Sequence, residues 1–236
     1  AVVIAVQANG DKLVRTHAPA LNLLQDQFAD QGAVFFMLNA TDSDRKSVAE
    51  EAQAHAYGMP VLMDEAQLVA ETFDLGRVGE VLIVDPARFT VIHRGALEDS
   101  SALGDALSAI VSGTEVAQTG SLSSGAPLIF AELAKDEAAP ISYAKDIAPI
   151  LEENCVQCHH QGGIGPWSMS DHAMIRGWSA MIREVILTRR MPPGQIDPHV
   201  GKDIEDAASL SLREMQQLVH WIDAGAPSDL QSPGDS

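Results

Sequence analysis

The stretch AVVIAVQANGDKLVRTHAPALNLLQDQFADQGAVFFMLNA, residues 1–40, sets the pattern of the first half of the chain. Residues 2–6 form a short β-rich run, which predicts a strand. Residues 13–29 place Leu21, Leu24 and Phe28 at helical spacing. Residues 33–39 return to an apolar run of strand length. Strand, helix and strand in that order form the unit from which sheets flanked by helices are built.

Working outward, residues 43–57 predict a second helix, with Asp42 or Ser43 as its cap. Residues 60–63 predict a short extended piece and residues 66–73 a brief helix. Residues 80–84 and 90–93 predict a hairpin joined through Asp85-Pro86, and residues 102–111 a closing helix. This order implies an α/β domain of thioredoxin-like arrangement. Residues 2–19, 61–64 and 80–85 resemble the redoxin and peroxiredoxin-like branch of that superfamily, and the resemblance spans about residues 1–112.

The chain departs from that family where the family's chemistry resides. The loop after the first strand reads Gln7-Ala8-Asn9-Gly10-Asp11-Lys12, with Asp11 near the place of the expected cysteine. Val78-Gly79 replaces the proline that usually precedes the third main strand. Thiol exchange and thiol-dependent peroxide reduction both need a thiolate nucleophile. The first half is therefore expected to keep the fold for docking or assembly, without redox activity of its own.

Residues 113–140 shift to Gly, Ser, Ala, Thr and acidic residues and predict a linker or lightly packed connection. Beyond it, residues 143–154 predict a helix with Pro149 in its first turns, where proline is tolerated. Residues 210–224 predict a terminal helix, with Leu212, Met215, Leu218, Val219 and Ile222 on one face and Gly225 and Pro227 stopping it.

Between these helices stands Cys155-Val156-Gln157-Cys158-His159, the C-x-x-C-H spacing of covalent haem attachment. Two cysteines three residues apart at the end of a helix can reach both vinyl groups of one porphyrin, and the next histidine then lies beside the iron. A zinc site or a redox dithiol is the competing reading. A closed zinc site wants four ligands, yet the chain has only these 2 cysteines.

A helix before the motif, Gly162-Gly163-Ile164-Gly165-Pro166 after it, Met191-Pro192-Pro193 later and a closing helix together resemble small monohaem cytochromes c, over about residues 141–226. Residues 155–193 look more narrowly like cytochrome domains fused to redoxin domains. Such fusions often carry another cysteine in the preceding stretch, about where Ala126 stands here. The resemblance implies an all-α cytochrome c domain over residues 141–236. It would hold one haem c through Cys155 and Cys158, with His159 and Met191 as axial ligands. Met169, Met174 and Met181 compete with Met191 but precede no proline, and His172 or His199 would give a bis-histidine haem. His160 adjoins the proximal position, and His220, His17, His55 and His93 read as packing or surface residues. Arg176, Arg183, Arg189 and Arg190 are either a solvated helix face or partners for haem propionates. Trp167, Trp178 and Trp221 read as pocket and core residues.

A net charge of −18 on 236 residues argues against nucleic acid as a partner, because phosphates need Lys and Arg. No apolar run reaches the length of a membrane span. Residues 1–10 lack the basic start of a signal peptide and read as a strand, as in a mature or trimmed product. The expected function is electron transfer in the periplasm or another extracytoplasmic space. Redox proteins would be the partners, in solution or in a membrane-associated complex. Two alternatives stay open: a peroxidase or gas-binding haem protein with an open distal position, and a structural subunit of a larger redox complex.

Overall fold

Val3, Ile4, Ala5 and Val6 are buried in succession along β1 (Val2–Gln7), as are Val81, Leu82 and Ile83 along β4 (Glu80–Asp85). Side chains alternate between the faces of a strand, so unbroken burial means that both faces of the sheet centre are covered. The structure, a computed structural model, describes residues 1–116, 120–193 and 209–229. It divides the chain into two units, Ala1–Ile129 and Phe130–Ser236.

In the first unit five strands lie in the order β3-β2-β1-β4-β5. β2 (Val34–Asn39) pairs parallel with both β1 and β3 (Val61–Met63). β4 pairs antiparallel with β1 and with β5 (Thr90–Ala96), with a bulge between Ile83 and Val84. α1 (Lys12–Phe28) joins β1 to β2 and packs against α4 (Ser100–Ser112); α2 (Arg45–Ala54) and α3 (Leu68–Thr72) complete the unit. A mixed sheet in this order, with a βαβ half and a hairpin half, is the thioredoxin-like arrangement that the sequence predicts.

The second helix starts later than residue 43. Neither Asp42 nor Ser43 caps it; Asp44 is extended and its carboxylate accepts from the Ser47 amide at 3.0 Å. It also ends earlier than residue 57, because Ala56 turns into the left-handed region at φ 50°.

Residues 113–140 are not a free connection. Residues 120–128 hydrogen-bond onto the first unit, and residues 131–138 form a helix of the second, α5 (Ala131–Ala138). In that unit a π turn over Tyr143–Ile147 leads into α6 (Ala148–Asn154), followed by α7 (His172–Gly177), α8 (Ser179–Leu187) and α9 (Leu212–Asp223). Ser211 and Glu214 cap α9 reciprocally, which sets its start two residues later than expected. The core gathers Ile147, Leu151, Ile182, Leu218 and Trp221. Trp221 donates to the Pro227 carbonyl at 2.8 Å and stacks on Tyr143. Among the described residues, no helix is long and apolar enough to cross a membrane.

His93 on β5 is only 4% exposed, and among the described residues neither ring nitrogen has a hydrogen-bond partner. Burial lowers its pKa from 6.5, against the opposing charge of Asp99. A histidine held neutral in the fold binds fewer protons than in the unfolded chain. Its contribution is therefore complete above about pH 6.5 and is lost as the pH falls below that value. The denaturant midpoint of the first unit should drop between pH 7 and pH 5, and His93→Leu should flatten that slope. An unchanged slope in the variant would assign the acid sensitivity elsewhere.

Candidate functional site

α6 ends at Asn154, and the chain then turns tightly: the Val156 amide donates to the Leu151 carbonyl at 2.9 Å and the His159 amide to the Cys155 carbonyl at 3.0 Å. The turn places Cys155, Cys158 and His159 together on one short coil. Both cysteines are free thiols, half-buried. Burial, reinforced by the neighbouring Cys158, pushes the Cys155 thiol up to about 11. A nucleophilic thiolate needs the opposite shift. Among the described residues, no three His, Cys, Asp or Glu side chains gather closely enough to hold a metal ion between them.

The following loop folds back over the turn. Gly165 donates its amide to the Cys158 carbonyl at 2.8 Å and Met169 to the His159 carbonyl at 2.8 Å. Trp167 is thereby brought to His159, whose Nδ1 stands 3.0 Å from the Trp167 carbonyl oxygen. A carbonyl can only accept, so Nδ1 carries the proton and Nε2 presents a lone pair. The loop needs glycine to lie so close. A Cβ on Gly165 would stand 2.7 Å from His159 Nδ1, and one on Gly163 would stand 2.4 Å from the Cys158 carbonyl oxygen.

The Trp167 ring packs 5.2 Å from the His159 ring and stacks on Trp178 at 5.3 Å and 12°. Several large apolar side chains after the motif are left uncovered: Ile164, Met174, Trp178, Met181 and Met191 are between 36% and 89% exposed. A broad apolar group docked on this unit would cover such side chains. The donors present, two thiols and an imidazole, are of the kind a covalently attached haem would take.

Met191 follows α8, with its amide donating to the Val185 carbonyl at 3.2 Å and Pro192 buried behind it. Of the competing residues, His172 donates through Nε2 to the Ala226 carbonyl at 2.9 Å and sits edge-on to Tyr143, so it serves the core. His160 is bonded to the Val156 carbonyl at 3.1 Å, and His199 lies outside the described residues. Met174 and Met181 lie within α7 and α8. Arg183 pairs with Asp223 at 2.7 Å and Arg190 with Glu184, whereas Arg176 and Arg189 are exposed.

In the first unit Asp11 takes the cap of α1, accepting from the Val14 amide at 3.0 Å. The adjoining loop is fixed by Glu51, which accepts from Arg15 Nε and Nη2, both at 2.7 Å, and from the Gly10 amide at 3.2 Å. Arg15 holds the Glu51 carboxyl down at about 2. Buried amides continue the network, Asn39 to Gln7 at 3.1 Å, Gln7 to Asn9 at 3.3 Å and Asn9 to Ser47 at 3.1 Å. No sequence motif announced Arg15 and Glu51 as partners, since they stand 36 residues apart.

No protein-family model and no curated protein matches the chain. Among solved structures it is similar to a hypothetical protein from Sinorhizobium meliloti 1021, with 22% identity over 53% of this chain and 77% of that one, at a TM-score of 0.50. It is also similar to the thioredoxin domain of a thiol-disulfide oxidoreductase from Bacteroides vulgatus, with 17% identity, 38% and 65% coverage and a TM-score of 0.35. A third is peroxiredoxin Q from Xanthomonas campestris, with 16% identity, 48% and 77% coverage and a TM-score of 0.40. These likenesses cover between 38% and 53% of the chain. The first of them concerns fold alone. The class that emerges is a thioredoxin-like unit without cysteine, joined to a helical unit that carries the C-x-x-C-H turn.

Proposed function

We propose that the second unit is a monohaem cytochrome c domain that transfers electrons. The observation that carries this reading is the orientation of His159. Its Nδ1 proton is committed to the Trp167 carbonyl, which leaves Nε2 unprotonated for a metal, while two unpaired thiols stand in the same turn. Cys155 and Cys158 would form the thioethers, and His159 the proximal bond. Met191 would supply a neutral thioether to the same iron, a ligand that favours the ferrous state and raises the potential. A haem bound there supplies an iron that cycles between ferric and ferrous states. Exposed Arg176 and Arg189 are the cations most open to its propionates. The first unit serves docking or assembly with a redox partner outside the cytoplasm.

A denaturing gel stained for haem should show the cofactor at the mass of the chain, 25.1 kDa. Cys155→Ala and Cys158→Ala should each weaken or abolish the stain. Haem that leaves the unmodified protein in acidified acetone would sink the proposal. Met191→Ala should remove the near-infrared sulfur-to-iron band of the oxidised protein and open the iron to carbon monoxide. Persistence of that band would hand the distal role to another methionine.

A further inference from the structure

Residues 120–128 run along the first unit as an extended strap, a role that their Gly, Ser, Ala and Pro composition does not announce. The strap pairs antiparallel with the loop before β4, through a bridge between Arg77 and Pro127. The Val78 amide donates to the Ala126 carbonyl and the Leu128 amide to the Gly76 carbonyl, both at 2.9 Å. Arg77 Nη1 donates to the Gly125 carbonyl at 3.0 Å. Ser123 Oγ donates to the Val78 carbonyl at 2.7 Å and accepts from the Gly125 amide at 3.1 Å. The Ser124 amide is bonded to Glu98 at 2.7 Å.

Main-chain pairing of this kind, with pockets for selected side chains, is a recurring way to recognise an extended peptide. Burial along the strap is selective in the same way. Ser123, Gly125 and Leu128 are buried, whereas Leu122, Ser124, Ala126 and Pro127 are exposed. The receiving surface is shaped for those three positions. A Cβ on Gly125 would stand 2.1 Å from the Val78 carbonyl oxygen, so only glycine fits there. Gly79, at φ +76°, has no side chain where one would stand 2.8 Å from Ser123 Oγ. Beside Gly79 the strap's own Ser123 fills the space where a Cβ would stand.

We infer that residues 76–78, with Glu98, form a peptide-recognition loop for an extended Ser-x-Gly-x-x-Leu segment, and that its resident ligand is residues 120–128 of the same chain. Held in cis at high effective concentration, the strap closes this loop to any other polypeptide. The inference is independent of the haem reading.

The test uses the full chain and a fluorescent peptide corresponding to residues 120–129. Wild type should bind it weakly or not at all, because the cis strap competes. Gly125→Val should force the strap off and bind the native peptide on the order of 100-fold more tightly than wild type. A peptide carrying the same Gly-to-Val change should not bind the variant. Equal binding by wild type and variant would overturn the inference, as would a folded variant that binds nothing. Should Gly125→Val not fold, Leu128→Asp, which ejects the strap by burying a charge, is read in its place. If neither variant folds, the strap belongs to the core rather than to a recognition loop, and the inference fails.

Discussion

Asp136→Ala is expected to destabilise the second unit by about 1–3 kcal/mol, the range for leaving buried hydrogen-bonding groups without their partner. The Asp136 side chain is 6% exposed and accepts from Arg213 Nη1 at 2.8 Å, from Arg213 Nη2, and from His220 Nδ1 at 2.7 Å. Burial alone would raise this carboxyl, but the hydrogen bonds from Arg213 and His220 outweigh it and hold it below the ordinary value. Its contribution is therefore present above the unfolded value of 3.8 and is lost as the pH falls through the lower folded value. Truncation would remove the carboxylate that accepts from His220 Nδ1, on a side chain 5% exposed, and would leave the Arg213 guanidinium, 37% exposed, with Glu132 at 3.2 Å. Thermal unfolding should show a fall in Tm of at least about 5 °C. All 3 tryptophans lie in the second unit, so their fluorescence follows it selectively. Glu132→Ala is the matched control and should change stability by less than about 1 kcal/mol. A similarly small effect for Asp136→Ala would mean that the network contributes no net stability.

Gly165→Ala is the second large effect, and it acts on the proposed haem site without touching the C-x-x-C-H residues. The added methyl would stand 2.7 Å from His159 Nδ1 and 2.9 Å from the Cys158 carbonyl oxygen. Relief requires the loop to lift, which takes the Trp167 carbonyl off the imidazole and frees the ring to rotate. Loss of such an orienting partner typically weakens metal binding roughly 10–100-fold. The fraction of chains carrying covalent haem should fall accordingly, and the remaining holoprotein should show a weakened proximal bond in its visible spectrum. Gly177→Ala, where among the described residues nothing lies within 4 Å of the added carbon, should leave haem content unchanged. Equal haem content in the two variants would show that the loop's closeness to His159 does not matter for attachment.

The parts of the fold that were legible in the sequence are those written in local periodicity. β1, α1 and β2 follow from apolar spacing within 40 residues, and the hairpin from two apolar runs around Asp85-Pro86. Helix starts were less legible, because Asp42, Ser43 and Asp44 are all competent caps and only the backbone angles choose among them. The strap and α5 were illegible for a different reason. Their anchors are backbone groups or side chains far along the chain, with Arg77 reaching Gly125 across 48 residues and His220 reaching Asp136 across 84. A Gly- and Ser-rich stretch whose bonds run through its main chain looks like a linker. At the candidate site, spacing alone singled out Cys155, Cys158 and His159. The group that orients His159 is a carbonyl, and a carbonyl has no letter in a sequence.

The π turn over Tyr143–Ile147 has a consequence for how this chain tolerates changes of length. A π turn holds more residues than an α turn. One residue added to a regular α-helix would swing the preceding segment by about 100° relative to the rest of the helix. Here the Ala148 amide reaches back to the Tyr143 carbonyl, so the additional residue is absorbed before Pro149, and Tyr143 and Ile147 remain buried along with Ile150 and Leu151. One codon could therefore be lost within this turn, turning it into an ordinary α turn, without re-aiming the coil that carries Cys155, Cys158 and His159. The same change one turn later would rotate those three residues away from the loop that receives them.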